Sequence, residues 1–538
     1  MRVTNGMIVN TTLAGLNTNM TKMNKNYSQM VTGKKIQRVS DDPIIAGRAL
    51  KLKGNVRQNT QFDSNTKEAA SWMEVTESSL SNMTEILKDI RTKAVQAATG
   101  TLTEDDKQTI KNDMEQLWAQ MQEEANATYG GRNIFTGFKT NEPMMLTEDV
   151  TITQDYLDSM GLTPTPTNLE LQADLTLSKE STMAAGTVLK EGTVLGKGSI
   201  IAAGTTIEEM TIGAGSELNQ VDFQAATGIT IAGTNPAQMI IGNPITLAKG
   251  SKITKDSYDE LVAADPAFTG QVGADGQTIF KELTDSEGNV SGYEMLADAT
   301  FAGGTVSTET AKDVVGFEHL GNGQFRTTKP INAKQVTLTG EMKAGAETIL
   351  KKDTTLAGIS KLGIYSKLAK ESTLEPGSTI GKGTMNPKVK GNIANQSIEY
   401  EIGVNTTIRV NTTGMDTFLS KVEAVLTDIF ITMDATKNDE NITNSDLHEM
   451  FTNKLGELDD LINDISEKTA DVGSRMNRIE YTQERLADNK ITLTELLSNT
   501  EDIDAEEAYI NFNVQYAAYQ SALQATSKII MNTLADYL

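Results

Sequence analysis

Residues 66–97 read TKEAASWMEVTESSLSNMTEILKDIRTKAVQA, and within them Thr66, Ala69, Met73, Thr76, Leu80, Met83, Leu87, Ile90, Ala94 and Ala97 recur at alternating steps of three and four. That rhythm is the seam of a coiled-coil helix, because a 3.6-residue turn brings such positions onto one stripe. Upstream, Asp42 can cap the helix and Pro43 can take its first position, where a missing N–H is harmless. Gly100 marks the far end. At about 1.5 Å per residue, a helix over 44–99 is a rod of roughly 80 Å. Thr103 and Asp106 then form a capping-box pattern ahead of another stripe, Ile110, Met114, Leu117 and Met121.

The same rhythm runs to both chain ends. Leu13, Leu16, Met20, Met23, Tyr27 and Met30 form a first stripe, and a turn follows at Gly33. Leu455, Leu458, Ile462, Ile465, Thr469, Val472, Met476 and Ile479 form another. The last one comprises Ala505, Ala508, Phe512, Tyr516, Tyr519, Leu523, Thr526, Ile530, Leu534 and Tyr537. Residues 1–140 and 415–538 are therefore helical by period. An isolated amphipathic helix is only marginally stable in water, so each stripe needs a partner. One reading is an intramolecular bundle. The sharper one leaves the stripes at 1–31 and 505–538 open until neighbouring copies of the chain cover them. Leu13, Leu16, Met20, Met23, Tyr27, Phe512, Tyr516, Tyr519, Leu523, Ile530 and Leu534 are then the candidate subunit-interface residues.

The middle, 145–410, is rich in Thr and Gly and reads as strand and turn. From Leu171, hexads open at Leu177, Met183, Leu189, Leu195, Ile201 and Ile207, with Ser or Thr at the fifth position from Ser181 to Thr211. The phase returns at Ile241, Leu247 and Ile253, and again from Ala344 through Leu350, Leu356, Leu362, Leu368, Leu374 and Ile380. LSKESTMAAGTVLKEGT and LAKESTLEPGSTIGKGT are visibly related. An aliphatic residue every sixth position suits a left-handed parallel β-helix, each triangular coil built of three hexads. Short hairpins with recurrent GT turns are the alternative. The breaks at 213–240 and 259–337 would be loops or inserted β modules.

The expected fold is thus α+β and multidomain. Segments 1–35 and 505–538 make a terminal coiled-coil domain, and 36–144 with 411–504 a helical rod domain. Residues 145–410 make a β-rich region with hexads at 171–212, 241–258 and 344–385.

Composition narrows the function. With 538 residues, 38% hydrophobic and 5% aromatic, the chain lacks material for large single cores, whereas narrow helical seams and thin β layers need less. A net charge of −24 and a pI near 4.6 repel phosphate backbones and anionic lipid. There is no cysteine, so disulfides, thiolate metal sites and a cysteine nucleophile are excluded. No apolar run reaches about 18 residues, the length of a membrane span. The opening MRVTNGMIVNTTLAGL lacks the apolar core of a cleavable signal peptide.

Nothing in the sequence points to catalysis, and no cofactor or metal is expected. The two histidines, His319 and His448, stand far apart, and no G-x-S-x-G elbow, P-loop or dinucleotide fingerprint occurs. Hexapeptide acyltransferases generally use a histidine base, but neither histidine lies in a hexad. Asp41-Asp42 reads as a helix cap and Asp459-Asp460 as a solvated helix face. DATKNDENITNSDLHE, 434–449, lacks the glycine and the bidentate acid of a calcium loop.

The segment VTGKKIQRVSDDPIIAG, 31–47, resembles the elbow by which members of the flagellin family join their terminal helix to the first rod helix. The stretch from DVGSRMNRIEYTQ to the closing LADYL resembles the family's returning helices. GGRNIFTGFKTNEP at 130–143, the opening MRVTNGMI and the ending LADYL resemble its hook–filament junction members more than its filament members.

The resemblance implies a structural, self-assembling part of the bacterial flagellum with both termini side by side in the inner layer of a tube. It implies a homo-oligomeric ring between the first junction protein on the hook and filament flagellin, export through the flagellar secretion channel, and an export chaperone on the C-terminal helix. Filament flagellin is the near alternative. A secreted adhesin with its binding module at 145–410 is the alternative from another class.

Overall fold

A computed structural model describes residues 5–99, 103–162, 164–231, 238–242, 244–247, 249–272, 278–285, 288–321, 323–345, 348–391, 393, 396–436 and 444–535. Six long helices carry the two chain ends: α1 (Asn5–Thr32), α2 (Pro43–Ala97), α3 (Glu104–Ala125), α4 (Met415–Thr436), α5 (Asn444–Glu501) and α6 (Ala505–Ala535). Their limits follow local chemistry. Asp42 Oδ1 accepts the N–H groups of Ile44 and Ile45, both at 3.0 Å, ahead of Pro43 in the first helical position. Thr103 and Asp106 close a reciprocal capping box on α3.

The chain divides into two units. One comprises Met1–Met73, Glu399–Val410 and Gly473–Leu538, and the other Glu74–Ile398 and Asn411–Val472. In the first, a hairpin of Glu399–Gly403 and Thr406–Arg409 lies on the long helices. Asn65 donates to the Glu401 carbonyl (2.8 Å), Arg475 to that of Arg409 (2.7 Å), and Tyr400 pairs with Glu68 (3.0 Å). In the second, Leu80, Met83, Leu87 and Ile90 of α2 are buried, as are Met114 and Met121 of α3, Phe418, Val422 and Ile429 of α4, and Leu458 and Ile465 of α5. Every member of the 66–97 stripe is buried, Thr66 and Thr76 included. Asp459 keeps a half-exposed side chain on its helix face and takes a bidentate pair with Arg91, at 2.5 and 3.1 Å.

The hexads build three faces. Strands near 169 and 188 share one face, with the strand near 206 beside it next to Thr354–Thr355, those near 175, 194 and 210 share a second, and those near 181, 200 and 217 a third, so every third hexad returns to the same face. The opening aliphatic residues point inward, with Leu177, Met183, Leu189, Leu195 and Ile207 fully buried, as are Leu362, Leu368, Leu374 and Ile380.

Among the described residues, parallel coil-on-coil stacking does not form. Within these faces the 169–219 arm pairs antiparallel with the second arm, 325–380. Leu195 pairs with Thr348, Leu189 with Thr354 and Met183 with Ser360, six residues up one arm for six down the other. Inside the faces, first-arm strands lie between two strands of the second: Thr182 meets both Lys361 and Thr379, three hexads apart. The hexad repeat specifies which residues face inward but not which strand lies alongside. Since the second arm must return to α4, it fills the gap left by each coil of the first.

The stretch 241–258 is not part of these faces. Its strands pair antiparallel with 290–307 in three small sheets of an inserted module, alongside the helix Lys255–Ala264. That module packs Phe268 and Phe301 as fully buried rings beside a Tyr258–Tyr293 stack at 3.9 Å.

The fifth-position hydroxyls face inward and bridge the arms. Ser378, Ser372, Ser366 and Ser360 accept the N–H groups of Ala184, Lys190, Gly196 and Ala202 at 2.8–3.1 Å. Ser181, Ser199, Thr193 and Thr187 return the favour to Gly381, Gly363, Ala369 and Glu375 at 2.8–3.2 Å. A buried hydroxyl is thereby satisfied, and so is a corner amide that no strand could reach.

Where the arms meet α4, a charged joint is enclosed. Glu423 is buried, with Oε1 3.4 Å from the Ser178 hydroxyl, and Asp416 accepts the Gly391 N–H at 3.1 Å. Burial pushes the Glu423 carboxyl up to about 7 and draws the neighbouring Lys390 ammonium down, each partly opposed by the other's charge.

Candidate assembly surface

The elbow between α1 and α2 is tied to the start of α6. Gly33, in the left-handed region at φ +68°, turns the chain out of α1, and its carbonyl accepts the Ile503 N–H at 2.9 Å. Lys35 N–H donates to the Glu501 carbonyl (2.7 Å), Lys53 pairs with Glu501 (2.7 Å), and Lys34 pairs with Asp502. The Lys34 hydrogen bond holds the Asp502 carboxyl below its usual range and raises the Lys34 ammonium in return. Asp41 accepts the N–H groups of Arg38 (2.9 Å) and Gln37 (3.1 Å), which lowers its carboxyl too.

From that clasp α1 and α6 run alongside each other. The Tyr27 and Phe512 rings meet at 5.8 Å, Phe512 and Tyr516 stack at 6.0 Å, and Asn26 donates to the Asn511 carbonyl at 3.2 Å. The pairing covers little. Leu13, Met20, Tyr27, Tyr516 and Leu523 remain 41–52% exposed. Leu16, Met23, Phe512 and Tyr519 are half-buried. The side chains of Ile530 and Leu534 lie outside the described residues. Among the described side chains of α1 none is buried, and in α6 only Ala508 and Thr526 are.

The two helices are thus in contact yet largely uncovered. Periodicity missed part of the bare surface: Tyr509, Ile510 and Val514, on other faces of α6, are 54–60% exposed, and Met7 and Val31 on α1 slightly more. The signal was in the chain, since Tyr509, Ile510 and Val514 place apolar side chains among the polar residues off the stripe of α6.

The residues weighed for chemistry are placed elsewhere. His319 lies against the Phe325 ring, and His448 Nδ1 is 2.9 Å from the Ala98 carbonyl. Among the described residues no three His, Asp or Glu side chains form a metal-holding group. No described helix is long and apolar enough to cross a membrane.

The bacterial flagellin N-terminal helical region matches residues 3–140, and the flagellin C-terminal helical region matches residues 455–538. Both ends of this chain thus match flagellin helical regions. Flagellar hook-associated protein 3 of Salmonella typhimurium is 34% identical over 141 residues, and its Escherichia coli counterpart 35% over 141. Each alignment covers 26% of this chain and 44% of the relative, so the chain spans less than half the length of the curated relatives it matches. A flagellin of Clostridium tyrobutyricum is 27% identical over 128 residues, covering 24% of this chain and 34% of that protein. Among solved structures, a flagellar hook-associated protein from Vibrio parahaemolyticus aligns over 86% of this chain and 100% of its own, with 10% identity and a TM-score of 0.35. The flagellar junction protein of Legionella pneumophila aligns over 85% and 100%, with 12% identity and a TM-score of 0.28. The two matched regions hold the elbow, α1 and α6, and with them the bare surface.

Proposed function

We propose that this chain is a structural subunit of the bacterial flagellum that forms the hook–filament junction by self-assembly of its terminal helices. The observation that carries the reading is the α1–α6 pair, two long helices in contact with almost nothing buried between them. Covering that apolar surface returns about 25 cal/mol per Å², which must outweigh the entropy of ordering both ends. A repeated interface with neighbouring copies supplies such cover. The hook-associated relatives, at 34–35% identity against 27% for the clostridial flagellin, favour the junction over the filament itself.

On this reading 1–35 and 505–538 line the inner layer of a tube, 36–144 with 411–504 form the rod layer, and 145–410 faces outward. The ring joins the first hook-associated junction protein to filament flagellin. The chain is exported through the flagellar channel, with a chaperone on α6 beforehand, and functions outside the cell.

Removing 505–538 is expected to abolish incorporation while the α2–α5 helices stay folded by circular dichroism. Normal incorporation of that truncation would sink the assembly reading. Electron microscopy of a deletion strain separates the two flagellar roles: bare hooks with secreted flagellin indicate the junction, capped hooks without filament indicate flagellin.

A further inference from the structure

We infer that the two hexad arms, 169–219 and 325–380, form one folding unit, so that neither keeps its strands without the other. Within the three hexad faces, the bonds between strands join one arm to the other, apart from two end pairs of one face, Phe317 with Thr327 and Val150 with Ile380. The bonds internal to an arm are corner turns, such as Ser199 N–H to the Gly196 carbonyl. Consecutive strands of one arm on one face are two strand spacings apart, roughly 9–10 Å, beyond hydrogen-bonding reach. The corner amides depend on the other arm as well, since each is accepted by its partner's buried hydroxyl.

Charge favours the same mutual pairing. Residues 169–219 hold seven acids against three lysines, and 325–380 hold nine basic residues against five acids, a net −4 facing a net +4. The resulting ion pairs cross between arms, as in Lys190–Asp353 at 2.6 Å and Lys367–Asp174 at 3.0 Å.

The arms come nearest in sequence where Leu218 pairs with Phe325, and furthest where Leu169 pairs with Leu374. Closing the shorter loop loses less entropy, so pairing starts there and proceeds coil by coil. A chain made available from its N-terminus therefore holds the first arm open until the second has followed. This inference is independent of the junction reading.

Native-state hydrogen exchange on the full chain tests it. Leu362→Ala in the second arm and Leu195→Ala in the first each remove a fully buried side chain. The expected result is that either substitution accelerates exchange by one common factor at Gly186, Gly192 and Gly198 and at Leu350 and Leu356, whose amides bond across the arms. Acceleration confined to the substituted arm, with the other at its original protection, overturns the inference. Should an alanine variant fail to fold, Leu362→Val makes the same comparison with a smaller perturbation.

Discussion

Replacing Glu423 by glutamine should make the protein more stable in mildly alkaline solution and leave it unchanged in acid. The Glu423 carboxyl is fully enclosed and its folded-state pKa is raised from 4.5 to about 7. The folded chain therefore holds that proton more tightly than the unfolded chain does. The stability this contributes is complete below pH 4.5 and is lost as pH rises through about 7. At 1.36 kcal/mol per pH unit, the loss approaches about 3 kcal/mol by pH 8. Glutamine has the shape of the neutral acid and cannot ionise, so Glu423→Gln escapes that loss. Urea unfolding of both proteins, followed by circular dichroism at pH 4.5, 6 and 8, is the direct measurement. The midpoints should coincide at the lowest pH and separate progressively, the variant above the parent. A variant less stable than the parent at pH 8 would refute the reasoning, because it would show that an ionised Glu423 paired with Lys390 contributes more than its burial costs.

Other substitutions address the arms and the helices. Gly196→Ala would place a Cβ 2.1 Å from the Ile364 carbonyl oxygen, so thermal unfolding should show a loss of about 1–3 kcal/mol. Glu371 sits at φ +67° on an exposed corner, and Glu371→Gly should raise the unfolding midpoint by up to about 1 kcal/mol equivalent. Met83→Ala, in the buried stripe, should cost about 2–5 kcal/mol in urea unfolding. Met20→Ala, on the bare stripe, should stay within about 0.5 kcal/mol in the monomer yet reduce incorporation into flagella scored by microscopy.

The helical ends were readable because their signal is local. A stripe such as Thr66 to Ala97 depends only on the turn of the helix that bears it, and each of its members is buried. The Asp42 cap and the Thr103–Asp106 box are likewise short-range. The bare surface was half readable. Its stripe residues followed from period, whereas Tyr509, Ile510 and Val514 lie off the stripe, where a search for a single seam does not look.

By itself, then, the sequence determined which side of each helix and each hexad turns inward, since the backbone geometry of a few neighbouring residues decides that. Tertiary structure alone decided what lies against those sides. A coil with an aliphatic residue at every sixth position can stack on itself in parallel or take an antiparallel arm between its turns, and the inward pattern is the same for both. The choice rests on contacts between segments more than 100 residues apart in most of the solenoid, such as Ser366 with Gly196 and Lys190 with Asp353. The hexad period marks Ser366 as an inward hydroxyl but carries no trace of its partner, because that depends on where the returning arm lies in space.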